Sequence, residues 1–568
     1  RPHPPTPPGV APFMLKEYPM SLPPISRRAV LIGGLSAGAL GLAACGAGDA
    51  GTGASTGPSG TDAEPTAGGT LRFAVANDPA SLTPQGGGSG NDARYVTRQL
   101  VDSLLDQDPE TGELAPWLAQ EWEINEDATE FTFHLREGVT FSDGTPLTAQ
   151  SIKDNFADVL AQGAQASYAI EHLAGYLDTE VVDEQTAIVR FDVPSAPFLQ
   201  ALTEPIFGPL AASTLALPWE ERVSGGVIGT GPFVLDRYTK DTEVVLTRRE
   251  GYAWPSSLSQ NTGEAHLDEV VFQIVPEASV RTGSLSSGQV DVIGGVPPQD
   301  QATLEGSGYT IVARGNPGTT FGLTPYNAKP IISDVNVRRA LSLALNRTDL
   351  RDATLNESYA VSTSPLAATT PGWVDLSEYL EQDVDEAARL LEESGWVPGA
   401  DGIRERDGER LALVIAWSNN FVANQSALEL LQQQAKEVGI EVELWTGDVS
   451  ERTAKGAAGE FDLTYGNLSR ADGDILRTSF AFGDEDPFQV ADEDLNALLE
   501  EQRGITDVAA RNEVLARAQE RILEIAFHIP TFELTSVLGT TEDVHGVALG
   551  ADSRLTSLVD AFLVGGAA

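Results

Sequence analysis

Short runs in which apolar and polar residues alternate are interleaved along this chain with stretches whose apolar positions recur every three or four residues. Phe131, Phe133 and Leu135 alternate with Thr132 and His134, the pattern of a half-buried strand, and Asp143-Gly144 marks a turn shortly afterwards. Leu428, Leu431, Ala435 and Val438 share one helical face and stop at Gly439, with a β run over residues 440–444 directly behind. Asp383 stands three residues before Glu386, a capping pattern that opens a helix with Ala387, Leu390 and Leu391 on one side and Gly395 at its close. Leu515, Ala518, Ile522 and Ile525 form a further stripe, expected to end at Pro530. Strands and helices mixed in this way predict α/β lobes, and 568 residues exceed what one core usually organises.

Two stretches break the pattern. Residues 29–44 are apolar and rich in Gly and Ala, preceded by Ser26-Arg27-Arg28, which is the layout of an export signal of the twin-arginine kind. They end in Leu42-Ala43-Ala44-Cys45-Gly46, which resembles the bacterial lipobox, whose cysteine takes a diacylglyceryl group. That resemblance implies lipidation at Cys45 and anchoring at the outer face of the cytoplasmic membrane, and two or more acyl chains hold a protein there stably. Residues 46–68 are small and polar, a flexible linker that cannot bury a core. Gly34 to Gly38 and Gly46 to Gly51 imitate a nucleophile elbow and a dinucleotide loop, but neither has the strand-turn-helix setting that those motifs need.

Charge narrows the partners. With 36 Lys and Arg against 83 Asp and Glu the chain carries −47, which repels nucleic acid. Cys45 is the one cysteine, so intramolecular disulfides and thiolate metal sites are excluded, and the six histidines are dispersed. No metal site, cofactor or catalytic constellation is expected, and hence no enzyme.

The segment 118–152, LAQEWEINEDATEFTFHLREGVTFSDGTPLTAQSI, resembles the signature of the family 5 extracellular solute-binding proteins, the peptide- and nickel-type receptors of ABC importers. Gly229-Thr230-Gly231-Pro232-Phe233 leading to Arg248-Arg249-Glu250-Gly251-Tyr252, and residues 334–347, DVNVRRALSLALNR, resemble two further landmarks of that family. The resemblance implies an α/β, two-lobed periplasmic-binding-protein-like fold with hinge strands and an inserted subdomain. Behind the signal region 1–45 and the linker 46–68, it implies a discontinuous lobe I over 69–112, 227–320 and 533–568, an insertion at 113–226 and lobe II over 321–532. The crossings between lobes are expected at 319–327 and 532–534. The implied function is capture of oligopeptides or dipeptides by a monomeric receptor and delivery to a membrane permease and its ATPase. A nickel-chelator complex or another small polar solute is the alternative, and a cell-surface sensing role without transport is a third reading.

By the same resemblance the ligand lies between the lobes. Ser89, Asn91 and Arg94 occupy a Gly-rich loop that in relatives faces it, and Tyr326 and Asn327 lie on the expected crossing strand. Trp417 and Asn419 follow a β run and could supply an aromatic platform and an amide. The loop from Tyr465 to Asp474 is the counterpart of the one that holds a peptide's ammonium, but the expected aspartate offset falls on Leu468. Asp472 suits an ammonium after a short shift, whereas Arg470 suits a carboxylate or other anion.

Overall fold

The alternation of Phe131, Phe133 and Leu135 becomes the strand Glu130–Leu135, with those three side chains buried and their neighbours half-buried. It sits second in a four-stranded antiparallel sheet with Ala119–Ile124, Thr186–Phe191 and Tyr176–Val181. The helix Ala149–Gln162 lays Ile152, Phe156 and Val159 on that sheet, and edge-to-face rings of Phe131, Phe156, Phe191 and Phe198 fill the space between. The computed structural model describes residues 64–86, 90–326, 329–447, 449–481 and 492–564. Cys45 and the signal region before it lie outside the described residues.

Two larger sheets carry the rest. The first has seven strands in the order Thr310–Gly315, Thr535–Thr540, Val292–Gly294, Thr70–Val75, Glu269–Ile274, Glu243–Arg248 and Phe233–Thr239. Its centre is the parallel pair in which Phe73 stands beside Phe272, both fully buried, as strands covered on two faces require. The second has five strands in the order Glu441–Thr446, Ala412–Trp417, Leu463–Ser469, Gly318–Pro325 and Ile529–Phe532. The chain passes between these sheets twice, at Asn316-Pro317 and at Glu533-Leu534. The two passages are tied side by side, since the Asn316 N–H donates to the Leu534 carbonyl at 2.7 Å and the Ser536 hydroxyl to Asn316 Oδ1 at 2.9 Å. The strands that pair with Gly318–Pro325 thus both belong to the second sheet, and the change of sheet falls just ahead of it. This is the two-lobed α/β fold with hinge strands and an inserted subdomain.

Helix boundaries follow the local chemistry. Asp383 caps Val384–Glu393 by accepting from the Glu386 N–H at 2.9 Å, and Gly395 takes φ +83° beyond its end. Asn424–Glu437 closes at Gly439 with φ +87°. Val508–Glu524 ends earlier than Pro530 would impose. Ala526 turns left-handed at φ +44° and the Phe527 N–H reaches back to the Ile522 carbonyl, so Pro530 belongs to the following strand. The conspicuous glycines and arginines of the landmark segments have structural jobs. A Cβ on Gly231 would lie 2.5 Å from the Gln99 carbonyl oxygen, so only glycine fits there. Arg249 ties the segment at Thr230 to Phe141 by donating to both carbonyls. Arg347, fully buried, donates to the carbonyls of Pro530 and Leu380, and burial pulls its guanidinium down to about 9.

Candidate functional site

Helix Asn91–Leu100 places Arg94 and Arg98 one turn apart, aimed at the segment around Thr203 and Glu204. Arg94 and Glu204 form an ion pair at 2.7 Å with side chains 2% and 1% exposed. The Arg94 guanidinium also lies over the Tyr168 ring at 5.0 Å, and the Tyr168 hydroxyl donates to Glu204 at 3.4 Å. Burial alone would raise the Glu204 carboxyl, but Arg94, with His172, Arg554 and Arg470 nearby, holds it at about 2. Asn91 accepts from Arg554 Nε at 3.0 Å. Ser89 and Asn327 lie outside the described residues.

From the second sheet, Arg470 extends into the same junction. Its Nη2 meets Glu171 at 2.9 Å and its Nη1 donates to the Thr478 hydroxyl at 3.2 Å. Its Nε, buried, has no hydrogen-bond partner among the described residues. His172 next to Glu171 is neutral, since burial and then the Arg470 charge lower it to about 4. A second link across the junction joins the Ala196 N–H to the Arg503 carbonyl and Arg503 Nε to the Pro194 carbonyl, each at 2.8 Å.

Thr478 also borders a cavity of 400 Å³ on the second lobe, walled by Tyr326, Tyr465, Phe461 and Phe480 and including Arg452, Asn467 and Leu468. Arg452 donates to the Ser418 hydroxyl at 2.8 Å and pairs with no carboxylate among the described residues. His528, which also borders the cavity, is held neutral by burial, lowered to about 4. Among its described lining residues there is no Asp or Glu. The cavity therefore offers aromatic walls, hydroxyls, an amide and one guanidinium.

Tyr326 and Tyr465 line this cavity and Arg470 reaches its edge through Thr478, whereas Arg94 stands on Glu204 and Asn91 on Arg554. Tyr465 is 5% exposed, stacked on Phe321 at 5.6 Å and hydrogen-bonded to Thr531. Asp472 is committed elsewhere, in a bidentate pair with Arg511 at 2.5 and 2.8 Å, so its carboxylate is an internal brace. Trp417 packs in the core of the second lobe and presents no platform, and Asn419 is exposed beyond its strand. Among the described residues no group of three or more His, Cys, Asp or Glu stands together as a metal site.

The family model of the bacterial extracellular solute-binding proteins, family 5, middle part, matches residues 113–485. The chain belongs to this family. Among the relatives of this family 5 protein, the nickel-binding periplasmic protein of Escherichia coli K12 is 25% identical over 409 residues, 70% of this chain and 76% of the relative. The dipeptide-binding protein of the same organism is 28% identical over 412 residues, 69% of this chain and 74% of the relative. The crystal structure of NikA from Brucella suis in complex with Fe(III)-EDTA superposes with a TM-score of 0.74 at 23% identity, over 87% of this chain and all of the other. AgaA of Agrobacterium tumefaciens R10, solved with agropinic acid, gives 0.71 at 23% identity, over 88% and 99%. These two likenesses establish the fold of the family 5 chain.

Sequence reasoning passed over Glu204, Glu171, Tyr168, His172 and Arg452. Glu204 left a signal, as a lone carboxylate in the apolar run ALTEPIFGPL it has to be buried and paired. The others sit on short helices whose facing partners are distant in the chain.

Proposed function

We propose that this chain is the solute-capturing receptor of an ABC importer, tethered through a lipid on Cys45, and that its solute is a small molecule bearing an oxyanion. The observation that carries the choice of solute is the 400 Å³ cavity, in which Arg452 pairs with no carboxylate among the described residues and no described Asp or Glu lines the wall. A guanidinium in a partly apolar site binds carboxylates through paired N–H donors. A peptide's ammonium finds no carboxylate among the described lining residues, and Leu468, 53% exposed, occupies the offset where an aspartate was expected. The names of the relatives include both nickel and dipeptide binding, so they support a receptor without choosing the solute.

On this reading the protein works as a monomer without chemistry of its own, closes over its solute by hinge motion and presents it to a permease and ATPase. We take the moving bodies to exchange at 316–317 and 533–534, with the insertion over 113–226 travelling with the first lobe. Thermal-shift screening of small carboxylates, free-ammonium oligopeptides and nickel chelates tests the choice, because a ligand raises apparent stability by mass action. Carboxylates are expected to stabilise the protein, and Arg452→Gln to weaken the best of them by about tenfold to a hundredfold. Stabilisation by free-ammonium peptides that survives Arg452→Gln would overturn the oxyanion reading and leave the receptor reading standing.

A further inference from the structure

Two paired strands of the second sheet form a floor to the 400 Å³ cavity. Strand residues two apart share a face, so Thr464, Gly466 and Leu468 of Leu463–Ser469 stand in a row, and all three line the cavity. Across the ladder Thr324 is paired with Thr464, Gly322 with Gly466 and Thr319 with Leu468, and both of these threonines line the cavity as well. The floor is therefore a patch of side chains around a bare centre, where two glycines face each other.

A glycine inside a strand gives up backbone entropy and side-chain packing, so its presence needs a cause. At Gly318 the cause is the backbone, which takes φ +115° and would press a Cβ on the Leu468 carbonyl oxygen. At Gly322 it is crowding, since a Cβ would lie 2.6 Å from the His528 ring and 2.6 Å from the Ile529 carbonyl oxygen. The imidazole of the chain itself thus fills the space over Gly322. Gly466 has neither cause. Its φ lies outside the left-handed region, and a Cβ there meets nothing within 4 Å. Gly283 and Gly306 share both properties, but they stand on exposed helix positions, whereas Gly466 stands on the floor of a cavity walled by Tyr326, Phe461 and Phe480. Room over a strand glycine of this kind suits the close approach of a ligand to the backbone.

We propose that Gly466 is the specificity-determining position of this cavity, leaving its floor bare for the ring-sized body of a carboxylate solute. The inference rests on the oxyanion reading above and adds to it the size of what the oxyanion is attached to. Arg452 takes the carboxylate, the body of the solute lies against the strand at Gly466, and any larger side chain at that position takes the same volume.

Isothermal titration of the whole chain with 2-naphthoate tests this. Saturable binding is expected, weakened about tenfold or more by Gly466→Leu and less by Gly466→Ala. Thermal unfolding without added solute separates a binding role from a structural one: Gly466→Ala is expected to raise the midpoint, since alanine fits the backbone there and loses less entropy on folding. This measurement stands even if Gly466→Leu fails to fold. Titration with 2-naphthamide, the uncharged counterpart, separates the inference from the reading beneath it. Equal binding of amide and carboxylate, lost in Gly466→Leu and untouched by Arg452→Gln, would overturn the oxyanion reading and keep the role of Gly466. Binding of 2-naphthoate that is weakened by Arg452→Gln but unchanged in Gly466→Leu would overturn the role of Gly466 and keep the oxyanion reading. A lower unfolding midpoint in Gly466→Ala, or no saturable binding of 2-naphthoate, overturns the inference as well.

Discussion

At Glu204 a carboxylate is held ionised inside the protein, chiefly by its ion pair with Arg94, and the consequence is a definite dependence on both partner and pH. Removing one member of a buried pair leaves the other charge uncompensated, so Glu204→Gln should destabilise the fold by roughly 3 kcal/mol or more, measured by denaturant unfolding at pH 7. The sign with pH follows from the direction of the shift. A carboxyl lowered from 4.5 to about 2 contributes stability that is full above pH 4.5 and is lost as pH falls through 2. Wild type and Glu204→Gln should therefore converge in stability as the medium is acidified. The residues that compose the junction were only partly legible in the sequence. Arg94 and Arg470 stood out in the sequence as cations, whereas the role of Asp472 depended on Arg511, 39 residues further on, and that of Trp417 on a core gathered from residues 321 to 532, which no local pattern announces.

At the scale of single elements, legibility tracked how local the determinants are. The helix Val384–Glu393 is written in its own residues, a cap, a stripe and a terminal glycine, and it forms where those residues predict. Its cap is testable: Asp383→Ala should cost about 1 kcal/mol in denaturant unfolding, and Asp383→Ser should recover most of that. The end of Val508–Glu524 was not legible because it is set by a left-handed alanine, a conformation that sequence pattern does not mark, and not by the visible proline. The strand Gly318–Pro325 was recognised as a strand, but its membership of one sheet or the other is decided by pairing with Leu463–Ser469, far along the chain.

Across the whole molecule the passage at Glu533 carries a titratable group. Glu533 is 4% exposed on the second connection between the sheets, and burial raises its carboxyl to about 7, with the Ala368 N–H offsetting only part of that. A carboxyl raised in this way contributes stability that is present below pH 4.5 and is lost as pH rises through 7. Between pH 5 and pH 8 the unfolding free energy should fall by about 3 kcal/mol on this account, and Glu533→Gln should abolish that fall. Urea unfolding of both proteins at a series of pH values measures it, and a parallel dependence in the two would show that the carboxyl titrates elsewhere.

The order of strands in the seven-stranded sheet also bears on how the chain is made. Thr535–Thr540 lies between Val292–Gly294 and Thr310–Gly315, pairing with both, so two strands synthesised early stay incomplete until residue 540 has left the ribosome. The second lobe, whose five strands all lie between residues 318 and 532, has its whole sheet in hand before then. During translation it can therefore become native first, while the body that precedes it in sequence waits with open sheet edges, the condition in which a nascent chain most needs a chaperone.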